Sequence, residues 1–191
     1  TRALSSAASD VYKRQVFIQI AEKNHMIEQI TDLQFKRICM FINEHRGLMK
    51  KLFNIKVNLS SLDLMRSDCS SHFIRMMDDM DIQHDWIQFE ITETVATEYN
   101  AGLGMVIDGF MAAGVRLCLD DFGSGYANLN TVMRLPFSAI KIDRTLLFDI
   151  CNDKKRAMFY QSIIETFHRM GYSIVSEGVE TEEEMSLLSS W

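Results

Sequence analysis

Five short apolar runs, at residues 55–59, 87–93, 115–121, 139–143 and 173–177, each carry a charged or amide side chain at or near their C-terminal end. Those side chains are Asn58, Glu90, Asp120 with Asp121, Lys141 and Glu177. Side chains alternate faces along a strand, so the face of each residue follows from its parity. Val57 and Leu59 flank Asn58, Phe89 and Ile91 flank Glu90, and Leu119 precedes Asp120. Ile140 and Ile142 flank Lys141, while Glu177 shares its parity with Val175 and Ser173. The polar residues therefore project away from the face that carries most of the bulky apolar groups. The steps 58 to 90, 90 to 120, 120 to 141 and 141 to 177 are 32, 30, 21 and 36 residues, about one strand plus one returning helix each. Parallel strands that present polar groups at their C-terminal ends are how a β/α barrel builds an active site. The pattern is that of an enzyme.

Composition narrows the class. A chain of 191 residues suits one domain, 47% hydrophobic residues suffice for a core, and 24% charged residues are ordinary for a globular protein. The net charge is −6 and there is no block rich in Lys and Arg, which argues against nucleic acid as a partner. An anionic substrate stays possible, because bound cations reverse the local sign. No apolar stretch approaches the roughly 20 residues needed to span a membrane. Cys39, Cys69, Cys118 and Cys151 form no C-x-x-C unit and read as reduced thiols of a cytoplasmic protein. Met76, Met77 and Met80 read as adaptable core filler.

Thr1–Gln15 is set apart as a non-native or linker segment, and its end, Asp10-Val11-Tyr12-Lys13-Arg14-Gln15, resembles a translated adaptor sequence. From Val16 the pattern is regular. Helices are expected over 17–22, over 27–46 with Ile30, Leu33, Ile38, Phe41 and Ile42 near helical spacing, and through 73–80. Others are expected over 102–113 closed by Gly114, up to Met133 ahead of Pro136, and over 154–170 closed by Gly171. Thr181 followed by Glu184 is a capping box that opens a last helix.

Glu90, Asp120, Asp121 and Glu177, with the amide of Asn58, are all oxygen donors. Such a set suits Mg²⁺ or Mn²⁺ better than zinc, and carboxylates crowded at one barrel mouth are costly unless cations neutralise them. Asp120 and Asp121 nominally face opposite ways, yet a turn at the strand end would bring both to one site. Lys141 would hold or polarise a water or neutralise charge on phosphate. Glu93 and Glu180, three residues after Glu90 and Glu177, read as loop-organising acceptors. Gly123-Ser124-Gly125 is a tight turn: Asn128 stands where a dinucleotide fingerprint would have its third glycine. His25, His45, His72, His84 and His168 lack ligand spacing and read as structural.

Val57-Asn58-Leu59-Ser60, Glu90-Ile91-Thr92-Glu93, Asp120-Asp121-Phe122-Gly123-Ser124-Gly125-Tyr126, Lys141-Ile142-Asp143 and Glu177-Gly178-Val179-Glu180-Thr181 resemble successive motifs of the EAL-domain family in order and spacing. The resemblance implies an incomplete, modified TIM-type (β/α) barrel over 16–191 that lacks its first and last strands. The family's Glu-Ala-Leu strand would lie ahead of the present N-terminus and its Gln-Gly-Tyr strand beyond Trp191. Gln19 stands where the family commonly has proline. The implied activity is hydrolysis of cyclic di-GMP to linear pGpG by a homodimer that uses two Mg²⁺ or Mn²⁺ ions. Asn58, Glu90 and Asp120 would hold one ion, and Asp120, Asp121 and Glu177 the other. Lys141 would bind the attacking water, and Glu93 would steady the loop after Asp121. The alternative is a catalytically silent cyclic di-GMP receptor or scaffold, against which the five retained motifs argue. A chain without the terminal strands is expected to be poorly stable and weak in turnover.

Overall fold

All five polar-ended runs form strands: β1 (Ile55–Asn58), β2 (Ile87–Thr92), β3 (Arg116–Phe122), β4 (Ala139–Ile142) and β5 (Ser173–Ser176). This computed structural model describes residues 20–191 except 22, 25, 50, 53, 99 and 126–128. The segment set apart at 1–15, Gln19, most of the helix expected over 17–22, Tyr126 and Asn128 lie outside the described residues. Every pairing is parallel and the strand order is β1-β2-β3-β4-β5. Sequential order without a reversal is the winding of a β/α barrel; a doubly wound sheet would reverse at its switch point. The α/β winding expected of an incomplete barrel is the one present, as a five-stranded parallel sheet.

Helix α1 (Ile27–Glu44) precedes the sheet. Between the strands run α2 (Cys69–Asp79), α3 (Ala101–Ala112), α4 (Leu129–Arg134) and α5 (Lys154–Arg169), and α6 (Glu182–Ser189) follows β5. Gly114 (φ +77°) and Gly171 (φ +89°) take the left-handed conformation just past α3 and α5, as helix-closing glycines do. Short helical turns at Ser61–Met65, Glu93–Thr97 and Arg144–Leu147 follow β1, β2 and β4 directly. They are too short to show a helical period. The first is nonetheless marked by a capping box, with the Asp63 amide donating to the Ser60 hydroxyl and the Ser60 amide to the Asp63 carboxylate.

The core lies between the sheet and these helices. Phe89 sits at its centre, 5.6 Å from the Phe35 ring of α1, 5.3 Å from Phe73 of α2 and 4.7 Å from Phe110 of α3. With Phe89 and Ile91 both fully buried on this side, alternation forces Glu90 onto the opposite face. The packing of three helices thus fixes the aim of one carboxylate. Met77 is fully buried and Met76 and Met80 pack against the core, as filler would.

The stripe that α1 buries overlaps only in part with the one its sequence suggested, sharing Ile42 and the partly buried Ile38. Ile27, Thr31, Phe35, Cys39 and Ile42 face the core, whereas Leu33 and Phe41 are exposed. The buried stripe contains a threonine whose hydroxyl bonds the Ile27 carbonyl and the Asp63 carboxylate, so it looks less apolar than it is.

The capping box at α6 forms as expected: the Glu184 amide donates to the Thr181 hydroxyl, and the Thr181 amide to the Glu184 carboxylate. Thr181→Ala should cost about 1 kcal/mol, read as a lower urea midpoint at unchanged slope.

Candidate active site

The C-terminal ends of β2, β3, β4 and β5 bring three of the predicted carboxylates together around Lys141. Its ammonium lies 2.7 Å from Asp120 Oδ1, 2.7 Å from Glu177 Oε1 and 3.3 Å from Glu90 Oε2. Register explains this convergence. Asn58 pairs with Glu90, Thr92 with Asp120, and Lys141 with Val175, so the polar side chains rise at neighbouring levels on one face. The Glu177 amide donates to the Ile142 carbonyl, continuing the ladder one residue past β5. Asn58 stands exposed at the end of β1 opposite Glu90.

Asp121 reaches the same site through a break in β3. The register between β3 and β4 shifts between Leu119 and Phe122, and Asp121 has φ +57°. A bulge turns two consecutive residues toward one side, and aspartate tolerates the left-handed region better than most residues. Phe122 returns to the core and packs edge-on against Phe167 at 5.1 Å. One carboxylate oxygen from each of Asp120, Asp121 and Glu177 lies within 4.8 Å of the others.

Such crowding leaves an electrostatic signature. Burial, then the charges of Asp120, Glu177 and Asp143, push the Asp121 carboxyl above its usual pKa, with Lys141 acting against them. Burial pulls the Lys141 ammonium down, but hydrogen bonds to Asp120 and Glu177 and the charges of Asp120 and Glu90 outweigh it, and the net shift is upward. Lys141 is therefore a permanent cation. Beneath the cluster, burial and the Glu90 charge push the Cys118 thiol to about 12, which leaves it inert as a ligand or nucleophile.

These residues fit a divalent cation on two counts. The donors are all oxygens, and one of them, Glu90 Oε1, is buried and accepts no hydrogen bond, with only the Lys56 ammonium beside it at 3.5 Å. A buried carboxylate oxygen without a donor is costly, and a cation would relieve both that cost and the repulsion on Asp121.

Glu93 is buried, and its Oε2 accepts the Gly123 amide at 2.9 Å. It thus tethers the loop after Asp121 to the end of β2. Glu93→Leu should leave that amide without this acceptor. The expected result is amide exchange at Gly123 faster by at least about tenfold, with β2 unaffected. Glu180 does not play the parallel part. Its backbone amide, with that of Thr181, donates to the Glu184 carboxylate, and its own carboxylate accepts no hydrogen bond among the described residues. Glu184 organises that loop because the capping geometry places it there. The described histidines are structural where they bond: His72 meets Asp32, and His84 meets Asp78 and the Ala113 carbonyl. Among the described residues no helix is long and apolar enough to cross a membrane.

Lys56 joins the site from below. It lies two residues before Asn58 with the same parity, and its Nζ is 3.5 Å from Glu90 Oε1.

Residues 2–191 match the EAL domain family. The chain belongs to that family. A cyclic di-GMP phosphodiesterase of Pseudomonas aeruginosa is 27% identical over 175 residues, 92% of this chain and 30% of that protein. The cyclic di-GMP phosphodiesterase NbdA of the same organism is 29% identical, over 90% of this chain and 22% of its own length. The chain thus spans less than a third of these curated relatives. Among solved EAL structures, the PaMucR phosphodiesterase in complex with c-di-GMP superposes with a TM-score of 0.81 at 28% identity, covering 92% of this chain and 76% of that one. The FimX EAL domain gives a TM-score of 0.83 at 20% identity, over 92% of this chain and 70% of that one, a likeness of fold. The β/α winding is thus that of an EAL domain.

Proposed function

We propose that this chain carries the catalytic centre of a metal-dependent phosphodiesterase that hydrolyses cyclic di-GMP to linear pGpG. The observation that carries the reading is the gathering of Glu90, Asp120 and Glu177 around Lys141, with Asp121 beside them, at the strand ends of an EAL domain. Phosphodiesterases of cyclic di-GMP among its relatives support the substrate class. Asn58, Glu90 and Asp120 would hold one Mg²⁺ or Mn²⁺, and Asp120, Asp121 and Glu177 a second, with Asp120 shared. Bound divalent ions supply a water of lowered pKa and stabilise both the attacking and the leaving oxygen of an in-line displacement.

The chain's own residues set the geometry of that displacement. The bond that breaks joins phosphorus to a 3′ oxygen, which leaves a 5′ phosphate on the linear product. Lys141 orients the attacking water. In the geometry seen, its three protons meet three carboxylates, so the water takes the place of the longest contact, the 3.3 Å one to Glu90. Asp121, held in the left-handed bulge, is fixed rather than free to follow solvent. Glu93 keeps the Gly123 loop closed over the site's edge.

Incubation of the protein with cyclic di-GMP and Mg²⁺ or Mn²⁺ should yield pGpG, and excess chelator should stop the reaction. Binding of the nucleotide with no cleavage under either metal, by the domain carrying both terminal strands that the family implies, would replace the enzyme by a receptor.

A further inference from the structure

The metal-ligand assignment leaves Lys56 without a role, although it faces the same carboxylate. Glu90 is only 4% exposed. Its Oε2 points to Lys141 at 3.3 Å, and its Oε1 points back along the sheet to Lys56 at 3.5 Å. At that distance the ammonium counts as a counter-charge and not a hydrogen-bond donor, consistent with Oε1 accepting no hydrogen bond. The register places Lys56 beside Gln88, which spends its amide on the Ser138 hydroxyl and so leaves Oε1 to the lysine. Glu90 is thus held between two cations, one at the mouth of the sheet and one below it.

We propose that Lys56 acts as the resident counter-cation of Glu90 and thereby weakens the hold of this site on divalent metal. The inference rests on the metal-binding reading above. A fixed positive charge a few ångströms from a ligand oxygen repels an incoming ion and competes with it for that oxygen. Lys141 and the burial of Phe89 and Ile91 keep Glu90 aimed when Lys56 is removed, so loss of the repulsion outweighs loss of orientation. An ordinary solvated strand lysine would show neither effect, and the partial exposure of Lys56 (35% of its side chain) makes it replaceable without unfolding the sheet.

The test is titration of the substrate-free protein with Mn²⁺, with free ion followed by its electron paramagnetic resonance signal. Lys56→Met should bind Mn²⁺ about three- to tenfold more tightly than the natural protein, and Lys56→Arg, which keeps the charge, should bind it with unchanged affinity. The gap should narrow at high salt, because a partly exposed charge is screened. Circular dichroism melting of each variant separates these effects from a loss of fold. Equal or weaker Mn²⁺ binding by folded Lys56→Met overturns the proposal and leaves the metal-site reading standing. If the natural protein binds no Mn²⁺ at all, the metal-site reading fails and this inference fails with it.

Discussion

Asp120→Asn should lower cyclic di-GMP turnover by more than about a thousandfold, well beyond the ~10–100-fold that loss of an outer partner costs a metal site. Asp120 is buried, and it joins Lys141 to Asp121. Its Oδ1 accepts from Lys141 at 2.7 Å and from the Asp121 amide at 3.0 Å, and it shares the carboxylate group with Asp121 and Glu177. Asparagine has nearly the same shape, and its carbonyl can take over both hydrogen bonds, so the fold should persist. What is lost is the negative charge proposed to be shared by two ions. Melting within a few degrees of the natural protein, with turnover gone, is the expected pair of results. Turnover within about tenfold of the natural protein would remove Asp120 from the metal site.

Lys141→Met should act on stability as well as on chemistry, and the two should separate with metal. Lys141 is the common counter-ion of Glu90, Asp120 and Glu177. Removing one partner from a buried charge network costs about 3–5 kcal/mol, because the remaining charges are left uncompensated. Chemical unfolding in chelator should show a loss of that order. Saturating Mg²⁺ or Mn²⁺ should recover most of it, since the ion supplies the missing positive charge and binds only the folded state. Turnover should stay low in the same buffer and nucleotide affinity should stay close to natural, because the water-orienting ammonium is gone and the metal ligands are not. Equal destabilisation with and without metal would mean that Lys141 is a packing residue and that the carboxylates hold no ion.

The legible and the illegible parts of this protein divide along a physical line. Strand parity is a period of two enforced by a core on one side only, so Val57, Phe89, Leu119 and Ile140 announced the buried face and Asn58, Glu90, Asp120 and Lys141 the other. Helix-closing glycines and the Thr181–Glu184 box are local signals, and they formed where local chemistry placed them. Asp121 follows no period. Its position depends on a left-handed residue at +57° and a register shift, which alternation alone would have sent to the opposite face. The buried stripe of α1 was missed in part for the converse reason, since Thr31 becomes a core residue only once Asp63 is folded against it. Lys56 has the parity of Asn58, but its partner is fixed only by the register that sets it one level below Glu90. Glu180 mimicked Glu93 in spacing, yet the hydrogen-bonding role went to Glu184, which the capping box had already marked.

The carboxylates gathered at these strand ends are proposed to hold the ions that drive cleavage. The most direct measurement is X-ray diffraction from crystals grown with Mn²⁺ and a non-hydrolysable cyclic di-GMP analogue, with anomalous differences collected at the manganese edge. The account predicts anomalous peaks in contact with Asp120, flanked by Glu90 on one side and by Asp121 and Glu177 on the other, with a phosphate of the analogue against them. Manganese found away from Asp120, or an analogue bound with no metal beside its phosphate, would contradict it.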